Sequence, residues 1–296
     1  MDKIKRTEED IRNLKIQGAT NIALTVIDTL FEKDLASSEV RSIAEKLAYA
    51  RPTEPLAQNA LRYIFSASNQ TREYYQQKAT EYKEAIQKAK QEIISNALSL
   101  IQNEAVYLTH CHSSTVVAIF KKAKSQGKSF AVYATETRPL YQGRITAREL
   151  VQAGVEEVTL IIDDVAESLI EGRLKQVDAV FIGADLISEK GFVNKVGSLG
   201  IARAAERKGI PLYCLTTLLK YDPRPFSDDL IEKRSGEEIW KSPPKGIRIY
   251  APAFDFIPYL SNVKIVCEKG IFTGSEVKRI VRRNYPFLFI DKSAVK

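Results

Sequence analysis

The sequence predicts an α/β protein, with a helical domain over residues 1–104 and a Rossmann-like domain, built on a mostly parallel sheet, over residues 105–296. Up to residue 104, apolar residues recur every three or four positions, which is the period of one helix face. Beyond that point they form short continuous runs, separated by helical stretches. Continuous apolar runs are typical of parallel strands that helices cover on both sides, so the change of period predicts the two domains.

Four helices are predicted before residue 105. Each shows apolar residues at helical spacing, with capping residues at its start or a helix-breaking residue at its end. The first begins at Thr7, with Asp10 as its capping partner, and Gly18 interrupts its apolar stripe. The second begins at Ser37 or Ser38 and ends before Pro52. The third begins at Leu56, and the fourth extends from Arg72 to Asn103. None of this region alternates as a strand does.

Five strands are predicted after residue 104, with helices between them. They are the β-rich runs 105–108, 130–134, 158–162, 179–182 and 212–215. Thr146 and Glu149 form a capping box that predicts a helix start, and Gly209 predicts the end of a helix that begins at Ser198. Ligands of such sheets bind beyond the carboxyl ends of the strands, where several polar turns are predicted.

Composition limits the class of protein and its partners. No apolar run approaches the roughly 18 residues of a membrane span, and the N-terminus has no signal-peptide core. Cys111, Cys214 and Cys267 are widely spaced and odd in number, which indicates free thiols in a reducing cytoplasm. The net charge of +7 suits an anionic ligand, but 44 basic and 37 acidic residues intermix along the chain, so nucleic acid is not indicated.

The stretch 109–114, Thr-His-Cys-His-Ser-Ser, joins the first predicted strand to the next helix. Ser113 or Ser114 is placed to cap that helix. A helix start binds phosphate and lowers the pKa of a thiol, which makes Cys111 a candidate functional group; its alternative role is a small buried apolar residue. His110 and His112 have no third ligand at a fitting spacing, so we expect no metal. The sequence has neither a dinucleotide-binding nor a P-loop motif, and we expect no cofactor.

Polar residues follow the later strands as well. Asp185 comes after a Gly-Ala pair that lets the backbone approach closely, and its alternative role is a helix or turn cap. Asn194 and Lys195 stand shortly before the helix that begins at Ser198. A cation and an amide beside a helix start suit phosphate, although a solvated lysine is the usual alternative.

In combination, these motifs resemble those of the family of initiation factor 2B α/β/δ subunits and aldose-1-phosphate isomerases, and most closely the archaeal ribose-1,5-bisphosphate isomerase type. The resemblance covers nearly the whole chain. It rests on the segments 109–113 (THCHS), 135–139 (TETRP), 142–147 (QGRITA), 183–185 (GAD), 194–197 (NKVG) and 220–223 (KYDP). It extends to 16–19 (IQGA), 50–53 (ARPT) and 59–63 (NALRY) in the predicted helical domain, and it ends with 252–255 (PAFD) and 268–270 (EKG).

The resemblance implies catalysis by Cys111 and Asp185, because the enzymes of the family keep both and its translation regulators need neither. An aldose 1-phosphate cannot open its ring freely, so one group must protonate the ring oxygen and another must move hydrogen from C2 to C1. By resemblance, Cys111 takes the C2 proton and returns it to C1. Asp185 serves the ring oxygen and then the C2 hydroxyl, with a hydride shift as the alternative route. The implied reaction converts ribose 1,5-bisphosphate to ribulose 1,5-bisphosphate.

The resemblance also implies substrate contacts and departures from them. The candidate substrate-binding residues are Lys15, Gln17, Gly18, Arg51, Ser113, Arg138, Asn194, Lys195 and Lys220. Gln17 stands where the isomerases have a phosphate-binding Arg, so methylthioribose 1-phosphate, which lacks a 5-phosphate, is an alternative substrate. Further departures are His112 and Ala251 in place of Asn, Thr217 in place of Glu, and a short loop over 188–191.

Two further expectations follow from the resemblance. The alternative function is a non-catalytic, initiation factor 2B-like regulatory subunit that binds nucleotide or sugar phosphate, with translation initiation factor 2 as its partner. Family members self-associate, so we expect a dimer or hexamer packed through the sheet domain.

Overall fold

The chain begins with a layer of helices. A computed structural model describes residues 2–31, 37–67, 70–172 and 176–290, so the last six residues of the predicted second domain and the chain just before Ser37 lie outside it. The helices are α1 (Asp2–Arg12), α2 (Ala19–Phe31), α3 (Ser37–Ala48), α4 (Pro55–Ile64) and α5 (Arg72–Ala97), with a 3₁₀ turn over Leu98–Leu100. The described chain has no strand before Val106. The predicted start at Thr7 is wrong, because α1 already includes this buried residue.

A mostly parallel sheet of seven strands follows. Its strands are β1 (Val106–Thr109), β2 (Ala131–Thr135), β3 (Glu157–Ile161), β4 (Ala179–Gly183), β7 (Leu212–Leu215), β9 (Val263–Cys267) and β10 (Gly270–Thr273). The helices beside them are α6 (Ser114–Ser125), α7 (Gln142–Gln152), α8 (Val165–Ile170), α9 (Ser198–Arg207) and α10 (Val277–Asn284). The strand order is β10-β9-β7-β4-β1-β2-β3; the pair of β9 and β10 is antiparallel and the other pairs are parallel. This confirms the predicted fold class.

Both faces of this sheet are covered, as the continuous apolar runs require. On β1, Tyr107 joins an apolar cluster with the end of α5 and with α6, whereas Leu108 joins a cluster with α8, α9 and α10. On β4, Phe181 and Ile182 divide between the same two clusters. Alternate side chains of one strand therefore enter opposite layers of the core.

The strand order reverses between β1 and β4. From β1 the chain proceeds through α6 to β2 on one side, and from β4 it proceeds to β7 and β9 on the other. In open α/β sheets this switch point forms a crevice at the carboxyl ends of the strands, and ligands bind there. Cys111 and Asp185 each stand two residues beyond one of these two strands.

A second sheet was not predicted. It is antiparallel and consists of β5 (Leu186–Ile187), β6 (Gly191–Lys195) and β8 (Phe254–Pro258). Asn194 and Lys195 therefore end a strand, rather than lying in the turn before α9. Gly191 allows β6 and β8 to meet, because a Cβ there would lie 2.3 Å from the Ile257 carbonyl oxygen.

Two other local expectations are wrong. Thr146 does not cap a helix but lies inside α7, which begins four residues earlier. The run 158–162 does form the predicted strand, β3, but the burial expected of it is wrong, since β3 is at the edge of the sheet and Leu160 and Ile162 are 43% and 59% exposed. An edge strand lacks neighbours on one side, which local periodicity does not reveal.

The helical layer is fixed to the sheet beside the switch point. The Asn59 side chain on α4 donates to the Leu219 and Tyr221 carbonyl oxygens at 2.7 and 2.9 Å. These bonds hold the turn that carries Lys220. Across the described ranges, no helix combines the length and apolar character that a membrane span requires.

Candidate active site

The turn after β1 places Cys111 directly before α6. The Cys111 backbone has a φ of 67°, and its amide donates to the Thr137 hydroxyl at 3.0 Å. Ser113 caps α6 by accepting from the Val116 amide at 3.4 Å, which confirms the predicted cap. A Cβ on Gly183 would lie 2.9 Å from the Ser113 hydroxyl. The start of α6 and the end of β4 are thus in close approach.

Backbone strain concentrates at this edge of the sheet. Thr137 and Tyr141, with φ of 63° and 57°, join Cys111 in the left-handed region. A β-branched residue such as Thr137 rarely adopts this conformation. The Asp163 carboxylate supports it by accepting from the Thr137 and Arg138 amides, both at 2.7 Å. Strained non-glycine residues cluster at functional sites, so this turn is a candidate for one.

The two histidines orient this turn. Burial lowers the pKa of His110, whose Nδ1 accepts from the Thr135 hydroxyl at 2.7 Å and whose Nε2 donates to the Val196 carbonyl at 2.9 Å. Burial also lowers the pKa of His112, which is paired with the Thr146 hydroxyl at 3.1 Å. That hydroxyl in turn donates to the Cys111 carbonyl at 3.0 Å. Both imidazoles are therefore engaged with protein groups, and Thr146 positions Cys111 instead of capping a helix.

The expected activation of Cys111 by its helix is wrong for the ligand-free protein. Burial raises the pKa of the thiol to about 11. The Lys195 ammonium opposes this and the Asp185 carboxylate adds to it. The thiol is therefore protonated at neutral pH, because loss of hydration outweighs the cation and the helix start.

Alkylation of Cys111 tests this protonation state. The rate of its reaction with iodoacetamide should rise about tenfold per pH unit between pH 7 and pH 9, since only the thiolate reacts. Mass spectrometry would follow the modification, and Cys111→Ser is the control, because Cys214 and Cys267 are fully buried. A rate that levels off below pH 8 would contradict a raised pKa.

Asp185 stands beyond β4, and Lys220 lies beyond β7 in the 3₁₀ turn over Leu218–Lys220. The Asp185 amide donates to the Val193 carbonyl at 2.8 Å, which ties this turn to β6. The Lys220 ammonium donates to the Ala184 carbonyl at 2.5 Å. Asp185 acts electrostatically on Cys111 and on the buried groups Arg51 and Glu54. The two predicted catalytic residues thus belong to one charged cluster at the switch point.

Arg51 reaches this cluster from the helical layer, and each of its three nitrogens already donates to a carboxylate. Its Nε and Nη2 donate to one oxygen of Glu232 at 3.0 and 2.9 Å, and its Nη1 donates to Glu54 at 3.0 Å. The residue is 7% exposed, and its guanidinium carbon lies 5.8 Å from the Phe254 ring centre. Three of the five N–H donors of this arginine are therefore committed to carboxylates, which leaves two for an anion.

The expected phosphate site at the start of α9 is also occupied. The Asp255 carboxylate accepts from the Gly197 and Leu199 amides at 2.8 and 3.0 Å. The Asn194 amide donates to the Ser198 hydroxyl at 2.9 Å. Lys195 is buried, and its ammonium lies 5.0 Å from the centre of the same Phe254 ring as Arg51. Lys195 therefore faces the cluster around Cys111, while the helix amides already have an anion.

Comparison with known proteins identifies the family. The sequence profile of the "Initiation factor 2 subunit family" matches residues 13–274. The chain belongs to this family.

It is 32% identical, over 97% of both chains, to a protein of Methanocaldococcus jannaschii named ribose 1,5-bisphosphate isomerase. It is 33% identical, over 90% of this chain and 85% of the other, to one of Geobacillus thermodenitrificans named methylthioribose-1-phosphate isomerase. The solved structure described as Pyrococcus horikoshii translation initiation factor eIF-2B covers 92% of this chain, with 98% of its own length matched, a TM-score of 0.80 and 27% identity.

In this family member, four of the predicted substrate residues are exposed; three of them belong to the helical layer, and the fourth, Arg138, follows Thr137 in the turn beside Cys111. Lys15 is paired with Asp10 at 3.0 Å, and the Gln17 amide donates to the Leu14 carbonyl at 2.6 Å. Gly18 has a φ of 83° and precedes α2. Arg138 is exposed and its guanidinium lies over the Tyr141 ring, 4.9 Å from the centre.

Four polar groups near these elements were missed. Glu54 and Glu232 are the partners of Arg51, and neither is marked by a local motif. Gln142 belongs to the segment 142–147 that carries the resemblance, but no role was predicted for it; its buried Oε1 has no hydrogen-bond partner. The hydroxyl of Thr53, beside Glu54, is also buried without a hydrogen-bond partner. Unpartnered buried polar atoms are uncommon, so these side chains are candidates for contact with a ligand.

Proposed function

We propose that this protein is an aldose–ketose isomerase that acts on a ribose 1-phosphate, with ribose 1,5-bisphosphate as the first candidate. The observation that carries the proposal is that Cys111 and Asp185 follow the two strands at the switch point and interact electrostatically. The isomerase names of two relatives that match along most of the chain support the reaction class. The rest of the cluster, Arg51, Lys195 and Lys220, supplies cations for a phosphorylated sugar.

The two groups share the proton transfers. In the reactive form of the pair, the proton of the Cys111 thiol is carried by the Asp185 carboxyl, and Asp185 donates this proton to the ring oxygen as its bond to C1 breaks. Cys111, as the thiolate, takes the C2 proton and returns it to C1. Asp185 then takes the proton of the C2 hydroxyl, which leaves the ketone and restores both groups. Lys195 assists by lowering the pKa of the thiol against the effect of burial.

The identity of the sugar depends on the second phosphate. Gln17 offers no cation, and Arg51 is already paired with two carboxylates. These observations favour methylthioribose 1-phosphate as a second candidate, since it has one phosphate. Incubation of the purified protein with each sugar, followed by ³¹P NMR, distinguishes the two. Conversion of either one supports the isomerase, and binding of both without conversion would contradict it.

A second function is a non-catalytic regulatory subunit that binds sugar phosphate or nucleotide and translation initiation factor 2. The loss of a cation at Gln17 and the likeness to a structure described as eIF-2B favour it. Binding without any conversion in the NMR assay is the outcome expected of such a subunit.

Self-association through the sheet is part of the proposal. β3 leaves one edge of the sheet open, and Leu160 and Ile162 beside it are exposed apolar side chains. Sedimentation equilibrium should give a mass that is a multiple of the 33.3 kDa chain, and a monomer mass would contradict this.

A further inference from the structure

Glu54 is a buried carboxyl that the proposed reaction does not use. It stands directly before α4, and its side chain is 2% exposed. One oxygen, Oε1, accepts from Arg51 Nη1 at 3.0 Å. The other, Oε2, is buried without a hydrogen-bond partner. A buried carboxylate oxygen without a hydrogen-bond donor destabilises the fold, because it has lost its hydration. If this oxygen is protonated, its O–H group can donate a hydrogen bond to a ligand oxygen.

The charges around Glu54 favour the protonated form. Two carboxylates, Asp185 and Glu232, and two cations, Arg51 and Lys220, act on it. Arg51 shares its charge with Glu232, to which it donates two of its three hydrogen bonds. Burial is the largest influence and Asp185 the second, and together they raise the pKa of Glu54 to about 8. At neutral pH the carboxyl therefore holds a proton.

We propose that Glu54 is a ligand-binding group of this site, a neutral carboxylic acid whose Oε2–H donates a hydrogen bond to a hydroxyl oxygen of the sugar. The identity of the ligand as a sugar phosphate rests on the proposed function. A neutral acid tolerates a phosphate nearby, whereas a second carboxylate beside Asp185 would repel it. Glu54 thereby recognises the hydroxyl side of the sugar without adding negative charge to the site.

Two variants of matched size separate donation from charge. Glu54→Gln keeps an N–H donor and cannot ionise, whereas Glu54→Leu keeps the volume and removes the donor. Titration calorimetry with ribose 1,5-bisphosphate at pH 7 should give wild-type affinity within about twofold for Glu54→Gln. For Glu54→Leu the affinity should be about tenfold weaker, which is typical of one lost hydrogen bond. Equal affinity of Glu54→Leu and wild type would overturn the proposal.

The pH dependence provides the second readout. From pH 8 to pH 9 the wild-type affinity should fall about fivefold, because the protonated fraction of Glu54 falls by that factor, and the affinity of Glu54→Gln should stay constant. The titrations of the phosphate and of Cys111 are common to both proteins and cancel in the comparison. The same fall in both proteins would overturn the proposal.

The melting temperature of the protein without ligand tests the protonation of Glu54 separately from the proposed isomerase function. Because the pKa is raised on folding, the native state holds a proton that the unfolded chain releases above pH 4.5. The melting temperature of wild type should therefore fall relative to Glu54→Gln as the pH rises from 4.5 to 8. A constant difference would overturn the neutral acid even if sugar phosphates bind. A wild type that binds no sugar phosphate would overturn the proposed function, and with it the role of Glu54 toward the ligand.

Discussion

Cys111→Ser and Asp185→Asn should each reduce the turnover of the sugar phosphate by about a hundredfold or more, the usual contribution of a general acid or base. Serine is close in size to cysteine, but its hydroxyl is a much weaker acid than the thiol. Asparagine keeps the shape of the carboxylate and cannot exchange a proton. Both side chains are only partly buried, so the fold should tolerate the changes.

The measurement is kcat for product formation, with the melting temperature as a check on folding. Asp164→Asn is the matched control, because Asp164 lies at the same sheet edge, after β3, and its side chain makes no capping hydrogen bond. It should retain wild-type turnover. Turnover above about a tenth of wild type for either Cys111→Ser or Asp185→Asn would remove that residue from the proposed mechanism.

Arg51→Ala should lower the free energy of unfolding by about 3–5 kcal/mol, the range for removal of one partner from a buried ion pair. Its side chain is 8% exposed and those of Glu54 and Glu232 are 2% and 14% exposed. Without the guanidinium, the Glu232 carboxylate is left as a charge without its partner, and the neutral Glu54 carboxyl loses its hydrogen-bond donor. The expected loss of stability therefore comes from the removed positive charge and its hydrogen bonds, and not from lost apolar packing.

Urea unfolding at pH 7 measures this loss. The matched control is Arg207→Ala, since Arg207 is 53% exposed and pairs with Glu167 and Glu171 on the surface. Its cost should stay below about 1 kcal/mol, as is usual for exposed pairs. Equal costs for the two variants would show that Arg51 is not needed to balance Glu54 and Glu232.

The architecture could be predicted from local patterns. The change from helical to strand period near residue 105, the runs that form β1, β2, β3, β4 and β7, and the cap at Ser113 all depend on neighbouring residues. The division into domains at residue 104 stays a prediction, because α5 packs both in the helical layer and against the sheet. The strand β5 could not be predicted in this way, because two residues are too few to show a strand period.

The site was harder to predict because its energetics are non-local. The partner of Arg51, Glu232, is 181 residues away, and the segment between gives no sign of the pairing. The Asp255 carboxylate that occupies the start of α9 comes from β8, a strand of the unpredicted sheet. Burial by distant segments likewise raised the pKa of Cys111, although the local helix start favoured a lower one. The roles of the predicted catalytic and binding residues stay predictions.

The double variant Cys111→Ser, Asp185→Asn tests most directly whether the two groups act as a unit on one sugar. Groups that serve the same transition state are not additive once either is lost. Turnover of the double variant should therefore be no more than about tenfold below that of the slower single variant, with sugar-phosphate binding retained in all three proteins. A double variant slower by the product of the two single losses would contradict a shared site.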